Sequence, residues 1–131
     1  METGKIKLVA ADMDGTLLNR NRKITQYTQN VIKKAMAQGV YFVPATGRAV
    51  NALPPELKEM EGIRYGIFSN GATIYDLKEE KVIYKNHFEM DRVLELMDFL
   101  KQFDLMESIS LNGQSYATVS YTHLTLPTNR E

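Results

Sequence analysis

The sequence predicts an α/β fold built on a parallel sheet, and three observations carry that reading. A mostly apolar run, Ile6 to Ala11, precedes a segment of helical periodicity, and the β-branched and aromatic run Val40 to Ala45 follows it. Strand, helix, strand over this length is a βαβ unit, so the two strands are parallel with a right-handed crossover. Polar motifs then stand directly after three apolar runs, at Asp12, Thr46 and Asn70. In an open α/β sheet the carboxyl ends of parallel strands converge on one crevice.

The elements follow in order. Residues 6–11, interrupted only by Lys7, fit a strand largely buried on both faces. Residues 17–24 are polar and turn-prone and read as an irregular excursion over the strand end. Thr25 is suited to cap a helix. Behind it Thr28, Val31, Ile32, Ala35 and Met36 recur at helical spacing, and Gly39 supplies the stop. Pro44 is unusual in a central strand and is tolerable where pairing stops. Residues 48–60 are helical at both ends. Pro54-Pro55 between them marks either a break or a new helix with the prolines in its first turn.

Tyr65 to Ser69 is a third strand, followed by the turn signal Asn70-Gly71. Residues 72–75 and 82–84 flank the charged stretch Asp76 to Lys81 and read as an antiparallel hairpin. Asp91 is expected to cap a helix whose apolar face holds Val93, Leu94, Leu96, Met97, Leu100 and Phe103. Residues 107–118 partly alternate, with Asn112-Gly113 as a turn. The run Val119 to Thr128 shows neither cap nor period and looks like a translated sequencing adapter. The expectation is that the natural frame ends near 118, which makes His123 irrelevant to function; His87 reads as a surface or linker residue.

Composition narrows the function. The 131 residues are 44% hydrophobic and 24% charged, with 16 basic and 16 acidic side chains, ordinary for one globular domain. Zero net charge and the lack of a basic stripe argue against a nucleic-acid partner. No cysteine is present, so disulfides, thiol nucleophiles and thiolate zinc sites are out. The amino terminus lacks a signal-peptide pattern, and no apolar run approaches the roughly 18–20 residues that span a bilayer. The chain reads as cytoplasmic, with no membrane partner.

The chemistry concentrates in Asp12-Met13-Asp14-Gly15-Thr16-Leu17-Leu18. Two carboxylates at i and i+2 lie about 6–7 Å apart along a strand and repel each other, so desolvating them calls for a partner. A divalent cation and a phosphoryl group would supply one. Gly15 permits a turn that a bulky residue would not.

This segment resembles motif I of the haloacid dehalogenase (HAD) superfamily. Ala45-Thr46-Gly47-Arg48 resembles its motif II. Ser69-Asn70-Gly71-Ala72-Thr73-Ile74-Tyr75-Asp76 resembles the Asn-Gly-Ala signature of the Cof-type branch, phosphatases with a type IIB cap. The likeness covers roughly residues 6–118. It implies a partial Rossmann-like core, its amino-terminal part over residues 1–84, the start of an α/β cap over 85–118, and a non-native tail over 119–131. It further implies a Mg²⁺-dependent phosphatase of small phosphorylated metabolites such as sugar phosphates. Asp12 would attack phosphorus and form an aspartyl-phosphate. Asp14 would serve as acid and then base. Asp12, with the main-chain carbonyl of Asp14, would hold Mg²⁺. Thr46 would donate to the phosphoryl group, Gly47 would keep the approach open, and Asn70 would sit near the pocket. Arg48 would contact substrate or form an ion pair. The family's motif III lysine and motif IV acids have no counterpart here, and Lys101 and Asp104 stand in the wrong context for them. A phosphomutase, or a fragment without turnover, are the alternative readings.

Overall fold

A computed structural model describes residues 5–103, 105, 108–111 and 114–117. The expectations for the Asn112-Gly113 turn, Asp104, the tail over 119–131 and His123 lie outside the described residues. The chain divides into two compact units, residues 1–87 and 88–131.

The first unit is a five-stranded sheet in chain order. β1 (Leu8–Asp12), β2 (Tyr41–Ala45) and β3 (Tyr65–Phe68) are parallel, as the βαβ pattern requires. β4 (Thr73–Asp76) and β5 (Lys81–Lys85) add an antiparallel hairpin. α1 (Gln26–Ala37) makes the crossover from β1 to β2. Thr25 caps it, its side chain accepting from the Thr28 N–H at 3.2 Å. Gly39, at φ 82°, ends it. The prolines resolve as a new helix, α2 (Pro55–Lys58), with Pro54 as the cap and a 3₁₀ turn at Val50–Ala52 before it.

Met13, Leu18, Ile24, Ile32, Phe42, Leu53, Leu57, Met60, Ile63 and Phe68 form one buried cluster. Burial on both faces holds for β2, where Phe42, Val43 and Pro44 are all buried. It does not hold for β1. Leu8 and Val9 are 54% and 37% exposed, because among the described residues β1 pairs with β2 alone. Pro44 sits inside β2 rather than past its pairing. It is tolerated because the described pairing with β3 is at Ala45↔Ile67, beyond the missing proline N–H.

Asp76, at the end of β4, is 2% exposed. Its Oδ1 accepts from the N–H groups of Lys78 and Glu79, both at 3.0 Å, and its Oδ2 accepts from Arg64 Nε at 3.0 Å. Burial pushes its pKa up. The Glu79 N–H, the Arg64 guanidinium and the Lys78 N–H outweigh that and hold it below the ordinary carboxylate range. The carboxylate closes the β4–β5 turn.

The second unit contains α3 (Met90–Leu100) and an antiparallel pair, β6 (Ser108–Leu111) and β7 (Gln114–Ala117). Asp91 does not cap α3. The N-cap is Glu89, without a side-chain bond, and Asp91 lies in the first turn, where its charge complements the helix dipole. Leu94, Leu96 and Phe103 of the expected apolar face are exposed. No helix among the described residues is long and apolar enough to cross a membrane.

Candidate active site

The strand ends bring the three motifs together. Asp12 pairs with Ala45 and Ala45 with Ile67 across the parallel strands, so the residues that follow each strand emerge at one edge. At the end of β1 the chain alternates: Met13 is fully buried while Asp12 and Asp14 on either side of it are exposed. That is the two-residue period of extended backbone, and it puts both carboxylates on the solvent face. Gly15, at φ 78°, then turns the chain. The N–H groups of Thr16 and Leu18 bond the Met13 carbonyl at 3.3 and 2.9 Å, and the Leu17 N–H bonds that of Asp12 at 3.3 Å. Thr16 Oγ1 donates to Asp12 Oδ2 at 3.4 Å.

After β2, Thr46 is buried and its N–H donates to the Ile67 carbonyl at 2.9 Å. Its Oγ1 accepts from the Arg48 N–H at 3.1 Å, which leaves the hydroxyl proton to donate outward. After β3, the Asn70 N–H donates to the Thr46 carbonyl at 3.2 Å, and the Ser69 N–H donates to that of Arg48 at 3.0 Å. These bonds hold a turn, Ser69–Gly71, in which all three residues have positive φ, 50°, 55° and 93°. Left-handed Ser and Asn carry backbone strain of the kind found at functional sites. The two loops are in close contact. A Cβ added at Gly47 would lie 2.7 Å from Asn70 Oδ1, so glycine is what lets the motif II backbone lie against the Asn70 side chain.

Arg48 is an ion-pair residue in this structure. Its Nη2 and Nε donate to Asp14 Oδ1 and Oδ2 at 2.6 and 2.9 Å, a bidentate fork, and its Nη1 reaches the Ala52 carbonyl at 3.4 Å. The hydrogen bond to Arg48 lowers the Asp14 pKa and outweighs the opposing effect of burial. The charges of Arg48 and Arg22 add to the lowering. The pair is partly open, with side chains 27% and 56% exposed, so solvent screening holds it to about 1 kcal/mol or less.

The donor chemistry suits a hard cation in part. Mg²⁺ takes a few protein oxygens and completes its shell with water. The Asp12 carboxylate is available, whereas both Asp14 carboxylate oxygens are engaged by Arg48. Among the described residues no group of three or more His, Cys, Asp or Glu converges to hold a metal. Asp14 therefore offers its main-chain carbonyl rather than its side chain. A separate cleft of about 240 Å³, lined by Gln29, Lys33, Glu56, Glu59 and Met60, includes none of the strand-end residues.

A family model for haloacid dehalogenase-like hydrolases matches residues 9–129. The chain belongs to this family. A Buchnera aphidicola protein with a provisional phosphatase name is 43% identical over 90 residues, 69% of this chain and 33% of its own length. The 5-amino-6-(5-phospho-D-ribitylamino)uracil phosphatase YcsE of Bacillus subtilis is 36% identical over 89 residues, 65% of this chain and 36% of that protein. Among solved structures, the haloacid dehalogenase superfamily phosphatase BT1666 from Bacteroides thetaiotaomicron superposes with a TM-score of 0.74. It is 28% identical, covering 88% of this chain and 43% of that one. The subclass IIB sugar phosphatase BT4131 gives a TM-score of 0.71 at 27% identity, over 85% and 43%. The chain spans roughly a third to two-fifths of the length of the curated relatives it matches. Its mostly parallel sheet with helices is the Rossmann-like core of these haloacid dehalogenase-like phosphatases.

Two features escaped the sequence reading. The fork between Arg48 and Asp14 joins residues 34 apart, and nothing local announces it. The buried Asp76, paired with the exposed Arg64 from before β3, was hidden inside a charged hairpin stretch. Only the contrast of a short acidic side chain at a strand end with an Asp-x-x turn pattern could have flagged it.

Proposed function

We propose that the protein carrying this sequence hydrolyses phosphomonoesters of small metabolites, such as sugar phosphates, through a phosphoryl group held on Asp12. The observation that supports this most is the convergence of Asp12 and Asp14 with Thr46, Gly47 and Asn70 at neighbouring strand ends. The subclass IIB sugar phosphatase BT4131 and the ribitylaminouracil phosphatase YcsE support the substrate class.

Asp12 is the nucleophile. Its carboxylate forms a bond to phosphorus as the ester P–O bond breaks, and Asp14 passes a proton to the departing alkoxide. Water then attacks phosphorus, giving its proton back to Asp14 while the Asp12–phosphorus bond breaks. Before either step Arg48 must release Asp14, and the phosphoryl oxygens are the natural new partner for a guanidinium fork. The Thr46 hydroxyl donates to the same oxygens, and the close packing of Gly47 on Asn70 sets the width of the cradle. Positioning and charge neutralisation are most of what phosphoryl transfer requires. Mg²⁺, held by the Asp12 carboxylate and the Asp14 carbonyl, would supply further neutralisation of phosphoryl charge.

Hydrolysis of a panel of phosphorylated metabolites with Mg²⁺, and its loss in Asp12→Asn, tests this reading; no turnover of any ester refutes it. A second reading concerns these 131 residues alone: that they bind phosphate without turnover. The guanidinium on Asp14 and the open face of β1 favour it. Asp12-dependent hydrolysis of p-nitrophenyl phosphate by the 131-residue chain would refute it. In domain terms, residues 1–84 supply the amino-terminal part of the core and 85–118 the first part of a type IIB cap.

A further inference from the structure

The loop that follows motif I carries Arg20, Arg22 and Lys23, all exposed. Among the described residues none of the three has a carboxylate within ion-pair range. Arg92 with Glu95 and Lys101 with Asp98, on and beside α3, by contrast, are paired. The loop is held by its own hydrogen bonds. Asn19 Oδ1 accepts from the N–H groups of Asn21 and Lys23 at 2.9 and 3.0 Å. The Asn19 N–H donates to the Lys23 carbonyl at 3.0 Å, and the Arg22 N–H to that of Asn19 at 2.9 Å.

Buried Leu18 and Ile24 anchor the two ends in the core, and Leu18 forms a bridge with Asp14. Arg20, Arg22 and Lys23 therefore lie two, four and five residues past Leu18, on a loop whose fold is fixed by its own hydrogen bonds. Arg22 itself sits at φ 57°, a conformation that costs a non-glycine residue energy and that clusters at functional sites. Its charge reaches the Asp14 carboxylate. Arg48 is already committed to Asp14, so the loop is where positive charge stands unneutralised beside the site.

We propose that the Asn19–Lys23 loop, with Arg22 foremost, recognises a second anionic group on the alcohol part of the substrate. The favoured phosphomonoesters then carry a further carboxylate or phosphate. This rests on the reading of Asp12 to Asn70 as the phosphoryl site and names the substrate class within it. An exposed ion pair of this kind is worth about fivefold in affinity, and it weakens with salt.

The test is calorimetric titration of the chain, with Mg²⁺, against glycerol phosphate, phosphoglycerate and bisphosphoglycerate. These differ in carrying no further anion, a carboxylate, or a carboxylate with a second phosphate. The expected result is about fivefold tighter binding of phosphoglycerate than glycerol phosphate at low salt, lost in Arg22→Gln and kept in Arg22→Lys. Arg22→Gln weakens glycerol phosphate binding by less than it weakens phosphoglycerate binding. Tightening only with bisphosphoglycerate would assign the loop to a phosphate; tightening with both would assign it to either anion. Equal affinities in the parent, or a preference that survives Arg22→Gln, overturn the proposal while leaving the phosphoryl site intact. If none of the three esters binds, the phosphoryl site and the loop's role fall together.

Discussion

Gly47→Ala isolates the cradle from the fold. The new Cβ would lie 2.7 Å from Asn70 Oδ1, with Asn70 Cγ and Nδ2 already at 3.4 Å. The carboxamide oxygen has to retreat about 0.7 Å to reach an ordinary contact. It can do so, because it ends a flexible side chain while the Asn70 backbone stays pinned to the Thr46 carbonyl. Stability should fall by about 1 kcal/mol or less, the low end for an added methyl group. Binding should suffer more. A hydrogen bond to a charged group is worth about 1.5 kcal/mol or more, so displacing the Asn70 carboxamide from the anion predicts roughly tenfold weaker phosphate binding. The assay is a pair of measurements on one sample: thermal unfolding, and titration of inorganic phosphate or orthovanadate with Mg²⁺. Unchanged anion affinity in a variant whose Asn70 amide resonance has moved would refute the reasoning.

Other outcomes follow from the same geometry. Gly66→Ala is the contrasting substitution: its Cβ would meet the ring of fully buried Phe68 at 2.5 Å. It should destabilise by about 1–3 kcal/mol in urea unfolding. Thr25→Ala removes the cap of α1 and should cost about 1 kcal/mol in the same assay. Asp76 has a depressed pKa in the folded state. Its contribution to stability is therefore complete above the ordinary carboxylate range and is lost as pH falls through the lowered folded value. Asp76→Asn should flatten that acid limb of the stability–pH curve. Arg48→Gln removes the fork on Asp14. It should weaken phosphate binding several-fold while changing the unfolding free energy by about 1 kcal/mol or less.

Much of the fold was legible because its signals are local. The βαβ order followed from Ile6–Ala11 and Val40–Ala45, the α1 cap from Thr25, its stop from Gly39, and the hairpin from the charged stretch after Tyr75. The motif residues were legible as strand-end polar groups, and the structure brings Asp12, Asp14, Thr46, Gly47, Arg48 and Asn70 to one edge of the sheet. What the sequence could not disclose depends on distant partners. The exposure of Leu8 and Val9 is set by which strands pair with β1, not by their own hydrophobicity. Arg48 carried two readings until Asp14 was seen between its nitrogens. Pro44 was legible as an anomaly, yet its tolerance depends on where β3 begins to pair. Asp91 looked like a cap because short acidic residues open helices, but the helix begins two residues earlier than that reading allows, with Glu89 at the cap.

The central claim is that Asp12 carries the phosphoryl group. Incubation with acetyl phosphate and Mg²⁺, acid quenching and peptide mass spectrometry test it most directly. The account predicts one added phosphoryl group on the peptide that contains Asp12, and none in Asp12→Asn. A phosphoryl group on any other residue, or phosphorylation that persists in Asp12→Asn, would contradict it.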